Sequence, residues 1–155
     1  MSRPANKTAA VLAAISGLIP AHAVLAAGIA NPLSPEQMNR ARVGFMLNCA
    51  GCHQPSGRGA AGTVPDLHDY LGEFAQHSES RSYPASVPGA SGSPVSDEEL
   101  AAILNWILYT MNAEQLRPDF RPYTAEEVGR YRATPLVDVE PVRAALLRKL
   151  AQAAP

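Results

Sequence analysis

The run Cys49-Ala50-Gly51-Cys52-His53 constrains this chain more than any other feature. The pattern C-x-x-C-H is the signature of covalent attachment of a c-type haem. Two thiols one helical turn apart can each form a thioether with one vinyl group of the porphyrin, and the next residue supplies the proximal imidazole. We therefore expect Cys49, Cys52 and His53 to hold one covalent haem c, with its iron coordinated by His53.

Two other kinds of site compete for the same cysteines. A redox disulfide of the thioredoxin type accompanies a βαβ pattern, and the sequence shows none. A structural zinc site needs a second Cys or His pair, which is missing. Cys49 and Cys52 are the only two cysteines and His53 follows at once, so the motif favours haem.

Residues 1–26 have the pattern of an export signal. Arg3 and Lys7 give a positive start, an almost entirely apolar run follows, and Ala21 and Ala23 have the spacing that signal peptidase recognises. The alternative is a retained anchor, but the apolar run is short for a span of about 20 residues. We predict cleavage, a periplasmic location and no stable membrane insertion afterwards.

Composition places the rest of the chain among globular proteins. Of 155 residues, 46% are apolar and 17% charged, which is typical of a single domain. The formal net charge is −1, so the sequence lacks the basic character of a general nucleic-acid binder. Loss of Arg3 and Lys7 with the signal leaves 11 basic and 14 acidic residues, a net charge of −3.

Three stretches follow one another in a fixed order around the motif: residues 34–49, the glycine-rich residues 59–67, and residues 95–109. Together with C-x-x-C-H they resemble the class I cytochrome c family, over about residues 34–110. The resemblance implies an all-α, cytochrome c-like fold around one covalent haem. It also implies that a proline in the glycine-rich loop accepts the N–H of the proximal histidine. By position that proline is Pro65, or Val64 supplies the carbonyl if the loop is shifted.

Local signals predict four helices. Ser34 followed by Pro35 begins the first, and Ser96 with Glu99 forms a capping box at the start of the clearest one. Thr124 caps a third helix, and the last begins near Glu140. Residues 78–94, rich in Ser, Gly and Pro, are expected to form a loop without a long regular element.

The predicted organisation is a signal at 1–26, a haem domain at 27–112 and a C-terminal helical extension at 113–155. We expect the extension to pack on the haem domain, with a docking surface as the alternative. We also expect Trp106 to pack against Phe45 and the haem edge rather than to carry electrons.

The second iron ligand is not evident. In the family a methionine lies in the loop before the last core helix, but the loop Val87–Pro94 contains none. We rank His77 first as the second ligand and Tyr83 after it, with an open sixth position as the remaining alternative. The other candidates are expected to have structural roles: Met38 and Met46 as core residues, Met111 beyond the expected position, and His68 on the proximal side.

These features predict a periplasmic single-haem cytochrome that transfers electrons between redox partners. One form of this role is the cytochrome subunit or electron acceptor of a periplasmic dehydrogenase. Its partner would be a dehydrogenase or an oxidase. We favour an electron-transfer protein over a stand-alone enzyme. The alternative is a five-coordinate haem protein that senses a gas or small ligand or acts like a peroxidase, and its support is the missing methionine.

Overall fold

The computed structural model describes residues 31–153, so the predicted signal at residues 1–26 lies outside it. The described chain is helical, and within it the β-type pairing is confined to one bridge between Ala60 and Val64. No helix of this part combines the length and apolar character needed to cross a bilayer. The helices are α1 (Pro35–Asn48), α2 (Ala50–His53), α3 (Leu71–Gln76), α4 (Tyr83–Ser86), α5 (Pro88–Ser91), α6 (Asp97–Met111), α7 (Ala125–Arg132) and α8 (Val139–Ala153), with a 3₁₀ turn at Ala113–Gln115.

The two long helices of the core start at the predicted caps. Ser34 accepts a hydrogen bond from the backbone N–H of Gln37, whose side chain returns to the backbone of Ser34. Ser96 and Glu99 form the same reciprocal pair at the start of α6. Each box satisfies two backbone donors that the first helical turn leaves free, which fixes where both helices begin.

Helices α1 and α6 cross through an aromatic contact. Phe45 is fully buried, and its ring lies 5.1 Å from that of Trp106 at a 40° tilt. Beside it, a Cβ on Gly44 would lie 2.9 Å from Cδ1 of Ile103. Glycine at this position therefore lets the two helices approach closely. The predicted packing of Trp106 against Phe45 is confirmed.

Residues 78–94 contain two single-turn helices, α4 and α5, where the sequence predicted a loop. Proline occupies the first turn of each, as Pro84 in α4 and Pro88 in α5. Proline suits this position because a first-turn N–H has no intrahelical partner. The absence of a long element is as predicted, but the segment is more regular than a loop.

Helix α7 packs against α6. Val128 of α7 is fully buried in the same cluster as Leu104 and Leu108 of α6. The buried side chain of Asn105 donates to the carbonyl of Tyr123 over 2.9 Å and accepts from its N–H over 2.8 Å. This segment of the extension therefore belongs to the packed interior.

Arg81 joins the segment before α4 to α7. Its guanidinium is buried, donates to both carboxylate oxygens of Glu127 over 2.6 and 2.8 Å, and also donates to the carbonyl of Ala75 over 2.6 Å. It lies over the ring of Tyr123, 4.3 Å from the centroid. Such a pair is favourable only when its remaining donors are also satisfied, as they are here.

Helix α8 lies on the surface, over the segment that contains α3 and α4. The backbone N–H of Leu136 donates to the carbonyl of Ser86 over 2.8 Å just before the helix begins. Near its end, Lys149 forms an exposed ion pair with Glu79 over 2.5 Å. No residue of α8 is buried, so it is held less firmly than α7.

We expect Phe45→Ala to lower the free energy of unfolding of the natively matured protein by about 3–5 kcal/mol, because it leaves a cavity between α1 and α6. Leu47→Ala on the same helix is the control, since Leu47 is 79% exposed and its loss should cost less than about 0.5 kcal/mol. Urea titration measures both. Equal effects would show that the crossing of α1 and α6 does not depend on Phe45.

We expect Glu127→Gln to cost about 1.5–3 kcal/mol at pH 7, because it weakens a charge-assisted hydrogen bond in a buried setting. The hydrogen bond from Arg81 lowers the pKa of Glu127 below its ordinary value of 4.5. The stabilisation is therefore complete above about pH 4.5 and is lost as the pH falls through the lowered pKa.

Unfolding titrations at pH 7 and in acid should show the difference between wild type and Glu127→Gln shrinking as the pH falls. The control is Glu126→Gln, which breaks an exposed pair with Arg130 and should cost less than about 1 kcal/mol. A difference between wild type and Glu127→Gln that is independent of pH would contradict this account.

Candidate functional site

The haem motif forms one helical turn directly after α1. The backbone N–H groups of Cys52 and His53 both donate to the carbonyl of Cys49, over 3.2 and 3.0 Å. Cys49 is half-buried and Cys52 is exposed. Both thiols and the imidazole of His53 line a single cavity of about 440 Å³, a volume within the range of small-molecule and cofactor sites.

The imidazole of His53 is oriented by the glycine-rich loop. Its Nδ1 lies 3.2 Å from the backbone carbonyl oxygen of Pro65. A carbonyl can only accept, so the proton lies on Nδ1 and the lone pair of Nε2 is free for a metal. The structure thus places Pro65, rather than Val64, against His53.

Burial shifts the pKa values of His53 and Cys49 so that the neutral form of each side chain is favoured. Desolvation lowers the pKa of His53, opposed in part by the hydrogen bond to Pro65. A neutral imidazole is the form that binds a metal. Desolvation also raises the pKa of Cys49, with a smaller contribution from the nearby Cys52.

Gly59 holds the loop against the histidine. Its φ of +66° lies in the left-handed region, and a Cβ on it would contact the carbonyl oxygen of Val64 and lie 2.6 Å from that of Pro65. Both contacts are to backbone, which cannot move aside without displacing the acceptor of His53. The sequence revealed a glycine-rich loop but not which glycine supports the histidine.

The rest of the cavity suits a flat, apolar cofactor. Leucine and isoleucine side chains of α6 form one wall, and residues 83–93, which include α4 and α5, form another. The apolar contributors from α6 are Leu100, Ile103, Leu104 and Ile107. A porphyrin with two thioethers and one imidazole ligand therefore matches the donors and the walls that the chain provides.

The cavity offers no second nitrogen or sulfur ligand of the usual kind. Among the described residues that line it, His53 is the one histidine, and methionine does not occur. Met38 accepts a hydrogen bond from Asn31 at its sulfur, Met46 is 37% exposed rather than a core residue, and Met111 packs near Gly57. The prediction of Met46 as a core residue is wrong, because it lies on the exposed side of α1.

The structure does not bring His77 to the cavity, which corrects the sequence-based ranking. His77 caps the end of α3, and its Nε2 lies 3.5 Å from the carboxylate of Glu73 one turn earlier. It lies beside Leu150 of α8, away from Cys49 and Cys52. His68 also lies outside the cavity, with Nε2 2.8 Å from the carbonyl oxygen of Ser56.

The cavity wall contains two polar side chains that the sequence did not identify as leading candidates: Tyr83 was ranked after His77, and Arg143 was missed. Tyr83 of α4 is buried, and its ring packs edge-on against Phe74 at 5.1 Å. Arg143 of α8 also lines the cavity. Its position in the sequence offered a signal, because it lies four residues from both Val139 and Leu147 on the apolar side of α8.

Comparison with known proteins agrees with this geometry. The family profile described as "Cytochrome c" matches residues 38–111. A cytochrome c-552 from Thermus thermophilus is 33% identical over 106 residues, which cover 57% of this chain and 81% of that protein. A second cytochrome c-552 of the same species is also 33% identical over 106 residues, which cover 57% of this chain and 72% of that protein.

We expect Gly59→Ala to lower the yield of haem-loaded protein and its free energy of unfolding by more than Gly62→Ala does. Both glycines have positive φ, but nothing lies within 4 Å of a Cβ on Gly62, so that variant reports backbone strain of about 1 kcal/mol alone. Absorbance of the haem per chain and urea titration measure the two effects. Indistinguishable variants would show that Gly59 does not support His53 through Pro65.

Proposed function

Since this chain belongs to the cytochrome c family of haem-based electron carriers, we propose that it is an exported, single-haem member that shuttles electrons between periplasmic proteins. The observation that supports this most directly is the convergence of Cys49, Cys52 and His53 on one apolar cavity. The hydrogen bond between His53 and Pro65 supports it further, because it leaves Nε2 of the imidazole free to bind iron.

The residues of the chain have separate tasks in this proposal. Cys49 and Cys52 tether the haem, His53 coordinates its iron, and Pro65 fixes the plane and tautomer of the imidazole. The bound haem supplies reversible one-electron oxidation and reduction of its iron. The apolar wall from α6 excludes water, so that a change of charge at the site requires little solvent reorganisation.

The exposed side of the site is suited to brief contact with a redox partner. Cys52 is exposed, and the large apolar side chains Val43, Met46 and Leu47 are exposed within two turns before Cys49. Transient redox encounters bury little area. We propose that this patch of α1 is the contact surface and that electrons pass through the nearby haem edge.

The partner and the location are part of the proposal. The sequence pattern of residues 1–26 supports export, and covalent attachment prevents loss of the haem in a compartment open to diffusion. A net charge of −3 for residues 27–155 favours a partner with a basic docking face. A periplasmic dehydrogenase that delivers electrons, or an oxidase that accepts them, satisfies these conditions.

A second candidate function follows from the cavity wall. Because neither methionine nor a second histidine lines the cavity among the described residues, the sixth position of the iron would be open or bound by a weak oxygen ligand. An open ferrous haem binds gases. This favours a sensor or peroxidase-like protein as the alternative to a carrier.

We expect full-length protein exported by a strain that matures c-type cytochromes to gain the mass of one haem. The control Cys49→Ala, Cys52→Ala should lose this covalent haem.

Electrochemical titration of the wild-type protein should give a reversible one-electron wave, and mixing with carbon monoxide separates the two candidate functions. An unchanged spectrum of the reduced protein supports the carrier, whereas rapid conversion to a carbonyl spectrum supports the ligand-binding protein. Wild-type protein without the added mass would overturn both.

A further inference from the structure

Arg143 places a positive charge in the wall of a mainly apolar cavity. The side chain is half-buried on α8 and lines the cavity together with Val139. Within the described residues it forms neither an ion pair nor a hydrogen bond, whereas Arg81 and Arg132 each form one ion pair and several hydrogen bonds. Since the charge of Arg143 borders the cavity and has no counter-ion among the described residues, this position points to an anion that they do not supply.

The carboxylate that shares the cavity is already paired. Asp66 lines the same cavity, but its carboxylate lies 3.1 Å from the guanidinium of Arg58 and also accepts the backbone N–H of His68 over 2.8 Å. No other arginine and no lysine of the described residues lines the cavity. Among the described residues, Arg143 is therefore the one arginine or lysine in the wall that can compensate the charge of an anion inside the cavity.

Tyr83 adds a second donor at the same place. It lines the cavity from α4, and its hydroxyl makes no hydrogen bond to the described residues, although Tyr123 and Tyr131 both use theirs. Tyr83 and Arg143 line the same cavity; burial raises the pKa of Tyr83, and the positive charge of Arg143 opposes that rise. The phenol stays protonated and can donate.

We propose that Arg143 and Tyr83 form an anion-binding site in the wall of the haem cavity, and that the C-terminal extension completes this site. The ligand class is a carboxylate or another small anion. It has two possible sources: a propionate of the haem itself, or an external anion that enters the cavity and reaches the iron. The inference rests on the proposed function, since both sources require that a haem occupies the cavity.

The propionate source is favoured because it requires no ligand beyond the haem of the proposed function. A haem brings its own carboxylates wherever it binds, and a planar guanidinium matches a carboxylate through two parallel hydrogen bonds. An external anion would need an open sixth position as well. In either case the interaction ties α8 to the occupied site, although the helix has no buried residue of its own.

The test compares Arg143→Gln with Arg148→Gln in the haem-loaded, full-length protein. Arg148 is exposed on the same helix and does not line the cavity, so it controls for loss of one positive charge. Arg143→Lys retains the charge without the planar fork, and Tyr83→Phe removes only the hydroxyl. Each variant is measured for reduction potential, for azide binding in the ferric state and for carbon monoxide binding in the ferrous state.

For the propionate source, Arg143→Gln should favour the oxidised state by about tenfold at a fixed electrode potential, a fall of about 59 mV, because an uncompensated carboxylate stabilises ferric iron. The pH at which propionate ionisation changes the potential should also rise. Arg143→Lys should recover part of the change, Tyr83→Phe should show a smaller loss of roughly threefold, and azide affinity should stay constant.

For the external source, Arg143→Gln should weaken azide binding by about tenfold while leaving the binding of neutral carbon monoxide unchanged. If the potential and the azide affinity of Arg143→Gln both match those of Arg148→Gln, the anion site is refuted. That result would leave the proposed function intact, since wild type would still carry a haem that cycles reversibly. Wild type without covalent haem would instead refute the proposed function itself.

Discussion

The crossing of α1 and α6 is the contact on which the rest of the structure depends. Gly44 and Phe45 bring the end of α1 against Ile103 and Trp106, and α1 passes directly into the turn that carries Cys49 and His53. The same crossing therefore fixes the direction from which both thiols enter the cavity. A loss of packing here would displace the attachment point as well as weaken the fold.

The cavity explains why the described residues form two small hydrophobic clusters instead of one continuous core. Large apolar side chains of α6 belong to these clusters and also form part of the cavity wall. These side chains would pack against a haem held by Cys49, Cys52 and His53, which would then complete the core. Stability and cofactor binding are therefore inseparable here, because apolar walls without an occupant lose their contacts outright. The extension meets the same site, since α8 has no buried residue yet places Arg143 in the cavity wall.

Local patterns in the sequence were sufficient for the long helices and for the attachment motif. Ser34 and Ser96 identified the starts of α1 and α6, because a capping box depends on side chains only three residues apart. Cys49, Cys52 and His53 lie within one helical turn, so their shared direction follows from helix geometry. Pro65 followed from the resemblance to a family and not from local pattern.

The tertiary structure decided which distant side chains line the cavity. His77 was expected there, but its pairing with Glu73 and its position beside α8 keep it on the outer surface. Tyr83 and Arg143 line the cavity instead, though 60 residues separate them along the chain. Sequence alone determines what a single turn of helix presents. Which distant segments meet across a cavity depends on how the whole chain packs, because single-turn helices such as α4 gain their stability from tertiary contacts.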